Sequence, residues 1–216
     1  MSPVSENNED WLKSVSSPVS SLLEELEKAG AEKFPGAAHM ASGFSQGRLI
    51  ALLSRLLKAS RILETGTFTG YGSLCLAEGL DENGLLFTIE NSKEYAAFAQ
   101  NFFDRSAFAK QIRLMEGRAE EIIPLLNENW DLVYLDADKT SNRLYISMLW
   151  PKLRPGGIIL IDNVFARGGI FKPEAEKRAF EKAVTALNHD LPMMFPDAEQ
   201  FILPIRDGLS ILQKKA

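Results

Sequence analysis

Hydrophobic positions along this chain follow two rhythms. Up to Lys58 they recur at helical spacing. Leu22, Leu23 and Leu26 lie in a stretch that opens at Ser20 and closes near Gly30. Leu49, Leu52, Leu53, Leu56 and Leu57 share one face between Gln46 and Lys58. From Arg61 onward, short apolar runs alternate with longer amphipathic segments. Arg61–Glu64, Leu85–Glu90, Ile112–Met115, Leu132–Leu135 and Ile158–Ile161 predict strands. Tyr71–Leu80, Lys93–Ser106, Ala119–Leu126, Ser141–Leu149 and Glu174–Asn188 predict the helices between and after them. Such alternation builds βαβ units and a parallel sheet. The end of the chain changes pattern. Gln200–Ile205 and Leu209–Gln213 flank Arg206-Asp207-Gly208, an Asp-Gly turn that predicts an antiparallel hairpin. The first ten residues are polar and predict a frayed end.

Composition narrows the class. The chain has 216 residues, 45% hydrophobic and 25% charged, which excludes a disordered chain, a collagen-like repeat and a coiled coil. Its length predicts one domain over 1–216, with 1–45 as a helical extension and 46–216 as the core. Lys and Arg number 24 against 29 Asp and Glu, a net charge of −5 that argues against a general nucleic-acid partner. The lone Cys75 allows no internal disulfide and no Cys-based zinc site; among Leu74 and Leu76 it reads as a small core residue. No apolar run approaches the ~18 residues of a membrane span. The N-terminus lacks a basic segment followed by an apolar one, so no signal peptide is expected. These features predict a cytoplasmic protein with no membrane partner. His39 and His189 lie in unrelated segments, which argues against a histidine-based triad or metal site.

In open parallel sheets, ligands bind beyond the carboxyl ends of the strands. Those positions hold Glu64-Thr65-Gly66, Glu90, Glu116-Gly117, Asp136-Ala137-Asp138-Lys139 and Asp162-Asn163, acidic or glycine residues after every apolar run. The first loop has the spacing Gly66, Gly70, Gly72. It is neither a Walker A loop nor Gly-x-Gly-x-x-Gly, which weighs against a diphosphate-bearing dinucleotide. A nucleotide-dependent oxidoreductase is the alternative this disfavours. Glu90 ends the second strand, where an acid can take both ribose hydroxyls. Loop and acid together suggest an adenosine ligand without a diphosphate.

Taken in order, five segments resemble the cation-dependent O-methyltransferases, the catechol and caffeoyl-CoA branch of the class I S-adenosylmethionine-dependent enzymes. They are Ile62-Leu63-Glu64-Thr65-Gly66-Thr67-Phe68-Thr69-Gly70-Tyr71, Asp136-Ala137-Asp138-Lys139, Pro155-Gly156-Gly157, Asp162-Asn163-Val164 and Leu203-Pro204-Ile205-Arg206-Asp207-Gly208-Leu209. The resemblance covers nearly everything from Met40 to the C-terminus. It implies an α/β fold with a Rossmann-like methyltransferase sheet. Seven mostly parallel strands would end in an antiparallel hairpin, with helices on both faces and extra N-terminal helices.

By the same resemblance, Glu64, Gly66 and Thr67 would surround the methionine part of S-adenosylmethionine. Glu90 would bind its ribose and Ala119 would border its adenine. Ser42 falls at a cofactor-contacting position before the glycine loop, and Asp138 would sit beside the cofactor at the metal edge. Gly72 stands where the family has a cofactor-contacting Ser, so that contact passes to the backbone or to Ser73. Two further departures bear on pocket shape: Asn142 replaces a common Tyr, and Gln46-Gly47-Arg48 replaces a common Glu-Gly-Gln.

Asp136, Asp162 and Asn163 form an all-oxygen set, suited to a hard cation: Mg²⁺ first, with Mn²⁺ or Ca²⁺ as alternatives. The family assigns the metal to these same three. Lys139 matches its proposed general base, and a nearby divalent ion and burial each lower the pKa of a lysine. The implied activity is methyl transfer to a hydroxyl of a catechol-like or caffeoyl-type aromatic diol. A non-catalytic S-adenosylmethionine-binding protein is the alternative. The family contains monomers and dimers, and the N-terminal helices tilt the expectation towards a homodimer.

Overall fold

The computed structural model describes residues 6–37 and 40–215, with 6–8 described as backbone only. His39 lies outside the described residues. Three helices come first: α1 (Glu6–Val15), α2 (Ser21–Lys33) and α3 (Gly43–Leu57). Then β1 (Arg61–Thr65), α4 (Tyr71–Ala77), β2 (Leu85–Glu90), α5 (Lys93–Arg105), β3 (Ile112–Glu116) and α6 (Ala119–Ile122) alternate. The pattern continues through β4 (Trp130–Leu135), α7 (Asn142–Leu149), β5 (Leu153–Asp162) and α8 (Ala179–Met194), and closes with β6 (Ala198–Leu203) and β7 (Leu209–Lys214). The seven strands form one sheet in the order β3-β2-β1-β4-β5-β7-β6. Strands β1 to β5 pair in parallel, and β7 runs antiparallel to both β5 and β6. The expected Rossmann-like methyltransferase architecture is therefore present, with its terminal hairpin.

The apolar runs are continuous because both faces of the sheet are covered. Ile62, Leu132 and Leu160 point to one face, where they pack with Leu23 and Leu26 of α2, Ile50 of α3 and Phe103 of α5. Leu63, Val133 and Ile159 point to the other, against Ile146 and Leu149 of α7 and Leu187 and Leu191 of α8. Each fully buried Leu or Ile in these layers contributes about 1.5–3 kcal/mol relative to exposure. Cys75 is buried in the first layer, and burial pushes its thiol well above the ordinary range, as suits a core residue.

Several boundaries depart from the sequence pattern. The polar first ten residues, expected to fray, enter α1 from Glu6, and Ser45 Oγ of α3 donates to Glu9 Oε1 at 2.6 Å. Strand β5 begins at Leu153 instead of Ile158. It runs through Pro155-Gly156-Gly157, with a shift in its register against β4 between Trp130 and Leu132. An irregularity of this kind is where a sheet tolerates Pro and Gly. Helix α8 starts at Ala179 instead of Glu174, because Glu174–Glu176 forms a separate 3-10 turn. Helix α6 stops at Ile122, and a 3-10 turn over Ile123–Leu125 with Pro124 at its start takes over.

Sheet order reverses direction between β1 and β4, which creates a crevice at their carboxyl ends. Register fixes what meets there. Thr65 sits opposite Leu135, and Leu135 opposite Ile161, so Asp136 and Asp162 leave the sheet side by side.

Candidate active site

A cleft of about 850 Å³ opens over these strand ends. The loop after β1 forms one wall. Gly66 adopts φ +88°, and a Cβ there would come within 2.7 Å of the Asp136 carbonyl oxygen. Only glycine allows the β1 and β4 loops to touch in this way. The loop then rises through Phe68, at φ +48°, whose N–H donates to Glu90 Oε2 at 2.8 Å. The Ser92 N–H donates to Glu90 Oε1 at 2.8 Å. Two backbone donors thus fix the Glu90 carboxylate at the cleft wall, with lone pairs left for a ligand.

Of the residues predicted for the cofactor, Ser42, Gly66, Glu90, Ala119 and Asp138 line this cleft. The other three lie under the loop. Glu64 is buried and accepts from Thr88 Oγ1 at 2.6 Å and from Ser73 Oγ. Burial pushes its carboxyl up to about 8, against the pull of those two hydroxyls. Its Oε1 lies 2.7 Å from where a Cβ on Gly72 would stand, so glycine at 72 is what leaves room for this oxygen. Thr67 pairs its hydroxyl with Thr88 Oγ1 at 2.6 Å, behind the loop. Asp138 is exposed and accepts from Thr140 Oγ1 and Ser141 Oγ, both at 2.7 Å. Partial burial works against its ionisation, yet the Thr140 and Ser141 hydrogen bonds hold it below the ordinary range. It fixes the turn into α7 as well as edging the cleft.

The predicted metal residues and base share the opposite wall. Lys139 Nζ lies 2.6 Å from Asp136 Oδ1. The Tyr134 hydroxyl stands 3.3 Å from Asp162 Oδ2 and 3.5 Å from Asp136 Oδ2, and accepts from Gln46 Nε2 at 2.7 Å. Burial pushes Asp136 up to about 7; Lys139 pulls it down and the Asp162 charge raises it. Asn163, at φ +58°, donates its N–H to Asp162 Oδ1 at 2.7 Å. Among the described residues no three His, Cys, Asp or Glu side chains converge on one point, so the candidate set is a carboxylate pair plus the Asn163 amide. All-oxygen donors suit a hard cation, and two carboxylates crowded together repel until a cation or proton joins them. The residues therefore fit a divalent ion, and the Glu90 wall with the Gly66 turn fits an adenosine-bearing cofactor.

Sequence reasoning missed the Gln46–Tyr134 pair beneath the carboxylates. Tyr134 lies within an apolar strand and reads as core. The same reading gave no role to Arg178 and Phe180, which also line the cleft. Among the described residues, no helix is long and apolar enough to cross a membrane.

Comparison with known proteins accords with this geometry. The sequence model of a family described as O-methyltransferase matches residues 13–215. A Niastella koreensis protein named catechol O-methyltransferase is 34% identical over 143 residues, 64% of this chain and 65% of its own length. A Dictyostelium discoideum protein named "Probable caffeoyl-CoA O-methyltransferase 2" is 33% identical over 168 residues, 76% of this chain and 72% of its own. The alignment thus spans slightly less than two-thirds of the first relative. Among solved structures, the O-methyltransferase TomG from Streptomyces achromogenes, in complex with SAM, shares the fold with a TM-score of 0.87 at 27% identity. That match covers 97% of this chain and 96% of that one.

Proposed function

Because this chain belongs to the O-methyltransferase family, we propose that it transfers the methyl group of S-adenosylmethionine to a hydroxyl of an aromatic vicinal diol. A divalent cation, Mg²⁺ ahead of Mn²⁺ or Ca²⁺, belongs to the same reading. The observation that carries it is a juxtaposition. Lys139 lies 2.6 Å from Asp136, beside Asp162 and Asn163, in the cleft whose other wall holds the anchored Glu90.

Each residue then has a task. Glu90 takes the ribose hydroxyls, Ala119 borders the adenine, and Asp138 edges the cofactor beside the metal residues. The backbone of Gly66 and Thr67 surrounds the methionine part, with Ser42, Glu64 and the space at Gly72 beneath it. Asp136, Asp162 and Asn163 would hold the cation, which supplies positive charge that favours the ionised phenol. Lys139, in its neutral form, accepts the phenolic proton on its Nζ. The acceptor oxygen then takes the methyl group, and S-adenosylhomocysteine is released. Most of the acceleration comes from holding donor and acceptor in line in one cleft.

The test is methyl transfer from labelled S-adenosylmethionine to 4-methylcatechol, with Mg²⁺ or with EDTA. Transfer that requires Mg²⁺ is expected, with kcat lowered roughly a hundredfold or more in Lys139→Ala, the usual weight of a general base. Full transfer in EDTA would remove the cation from this reading. Tight S-adenosylmethionine binding with no transfer would favour the binding-protein alternative.

A further inference from the structure

The two candidate cation carboxylates stand over one buried hydroxyl. Side chains alternate along a strand, so Tyr134 of β4 and Asp136, just past its end, turn to the same face of the sheet. Register sets Tyr134 opposite Leu160 of β5, two positions before Asp162. Helix α3 covers that face, with Ile50 in the core layer and the buried Gln46 one turn earlier. We infer that Tyr134 and Gln46 are positioning residues for the cation: the amide aims the Tyr134 proton at Asp136 and Asp162, which holds the two carboxylates ready for a divalent ion. This rests on the methyl-transfer reading only for the presence of the cation.

A phenolic hydroxyl has one proton to give and lone pairs to receive. Gln46 Nε2 donates to the Tyr134 oxygen at 2.7 Å, which leaves the proton for the carboxylates. Asp162 Oδ2 lies 3.3 Å away and Asp136 Oδ2 3.5 Å, so one proton serves two acceptors in turn. The other oxygen of each carboxylate is engaged elsewhere. Lys139 Nζ lies 2.6 Å from Asp136 Oδ1, and the Asn163 N–H donates to Asp162 Oδ1 at 2.7 Å. Tyr134 therefore supplies the second point that fixes each carboxylate plane. A donor placed between two like charges also offsets part of their repulsion.

The identity of residue 46 decides where the proton goes. A glutamate, common at this position in the sequences that the chain resembles, would compete for the Tyr134 proton and add a third negative charge. The amide does neither. Tyr134 and Gln46 are both buried and neither lines the cleft, so they act through the carboxylates and not by touching cofactor or acceptor. Outer partners of metal ligands commonly contribute ten- to a hundredfold in metal affinity.

The experiment measures Mn²⁺ binding to the ligand-free protein at pH 8 by electron paramagnetic resonance, with S-adenosylhomocysteine binding measured alongside. The variants are Tyr134→Phe, Gln46→Leu and the double substitution, with Asp136→Asn setting the level of binding elsewhere on the surface. Tyr134→Phe should weaken Mn²⁺ binding about tenfold and leave S-adenosylhomocysteine binding within about twofold. Gln46→Leu should weaken Mn²⁺ less, because the hydroxyl stays but loses its aim. The double variant should be no weaker than Tyr134→Phe, since Gln46 acts only through the hydroxyl. The Mg²⁺ concentration for half-maximal transfer to 4-methylcatechol should rise by the same factors. If Tyr134→Phe does not fold, Gln46→Leu decides by the same two binding readings. Mn²⁺ affinity within twofold of wild type in Tyr134→Phe overturns the inference. So does a double variant whose loss is the sum of the single ones, or a loss that falls equally on S-adenosylhomocysteine, which marks general loosening. A wild type that binds no Mn²⁺ overturns both this inference and the cation of the proposed function. A wild type that binds Mn²⁺ and transfers no methyl group counts against the proposed reaction alone, and the Mn²⁺ comparison still decides the role of Tyr134.

Discussion

Tyr134 and Gln46 show how much one hydroxyl can organise. The Tyr134 ring is buried, and its oxygen sits between two carboxylates while accepting from the Gln46 amide. Removing it leaves that amide without a partner. Tyr134→Phe should therefore lower stability by about 1–3 kcal/mol, the penalty for an unsatisfied buried polar group; chemical denaturation measures this directly. Glu64 offers a second check. Its folded carboxyl is pushed from 4.5 up to about 8, so the folded state holds a proton that the unfolded state releases. Its contribution to stability is full below pH 4.5 and is lost as pH rises towards about 8. In Glu64→Gln, the fall in thermal midpoint of the ligand-free protein across that window should flatten. An unchanged slope would mean that Glu64 ionises freely in the fold. Glu64, Gly66, Glu90, Asp136 and Asp162 were legible in the sequence because each follows or ends an apolar run. The Gln46–Tyr134 pairing was not, because it spans 88 positions: Gln46 stood out only as a departure in pocket shape, and Tyr134 sits in an apolar run that reads as core.

At the level of elements, the start of α8 joins stability to the cleft mouth. Glu181 accepts from the Arg178 N–H at 2.6 Å, from the Arg178 guanidinium and from Lys172. Arg178, first of all, and then Lys172 hold its carboxyl down at about 2, below the ordinary 4.5. The stabilisation is therefore present above pH 4.5 and is lost as pH falls towards 2. Glu181→Gln should be less stable than wild type at pH 7, and the two should converge on acidification. A difference that is constant with pH would show that shape, and not charge, holds this cap. The predicted start of α8 at Glu174 missed the cap because amphipathic spacing continues through the 3-10 turn before it. The start of β5 was missed for a related reason. Pro155-Gly156-Gly157 reads locally as a breaker, yet long-range pairing with β4 carries the strand across it. Helix α1 carried too few apolar residues to announce itself, and two of them, Trp11 and Val15, stay exposed.

Across the whole molecule, the sheet divides labour. Its β1–β2 side carries the glycine loop and Glu90, and its β4–β5 side carries Asp136, Lys139, Asp162 and Asn163. Alternation of strands and helices made that layout legible, since the crossing order of a parallel sheet brings the ends of β1 and β4 together. That Arg178 and Phe180 border the cleft was not legible, because it depends on the tertiary placement of the start of α8. The layout has a thermodynamic consequence that needs no substrate. Burial pushes the Asp136 carboxyl up to about 7, so on the proposed reading protons and the cation would compete for the same oxygens. Mg²⁺ at about a hundred times its dissociation constant would stabilise the fold by about 2.7 kcal/mol. For a chain of this size that corresponds to a rise of roughly 5–11 °C in the thermal midpoint, at about 2–4 °C per kcal/mol. The rise should be larger at pH 8 than at pH 6, should vanish with EDTA, and should be absent in Asp136→Asn. Equal shifts at both pH values would place the ion away from Asp136. No shift at any Mg²⁺ concentration would count against a cation held by the carboxylate pair.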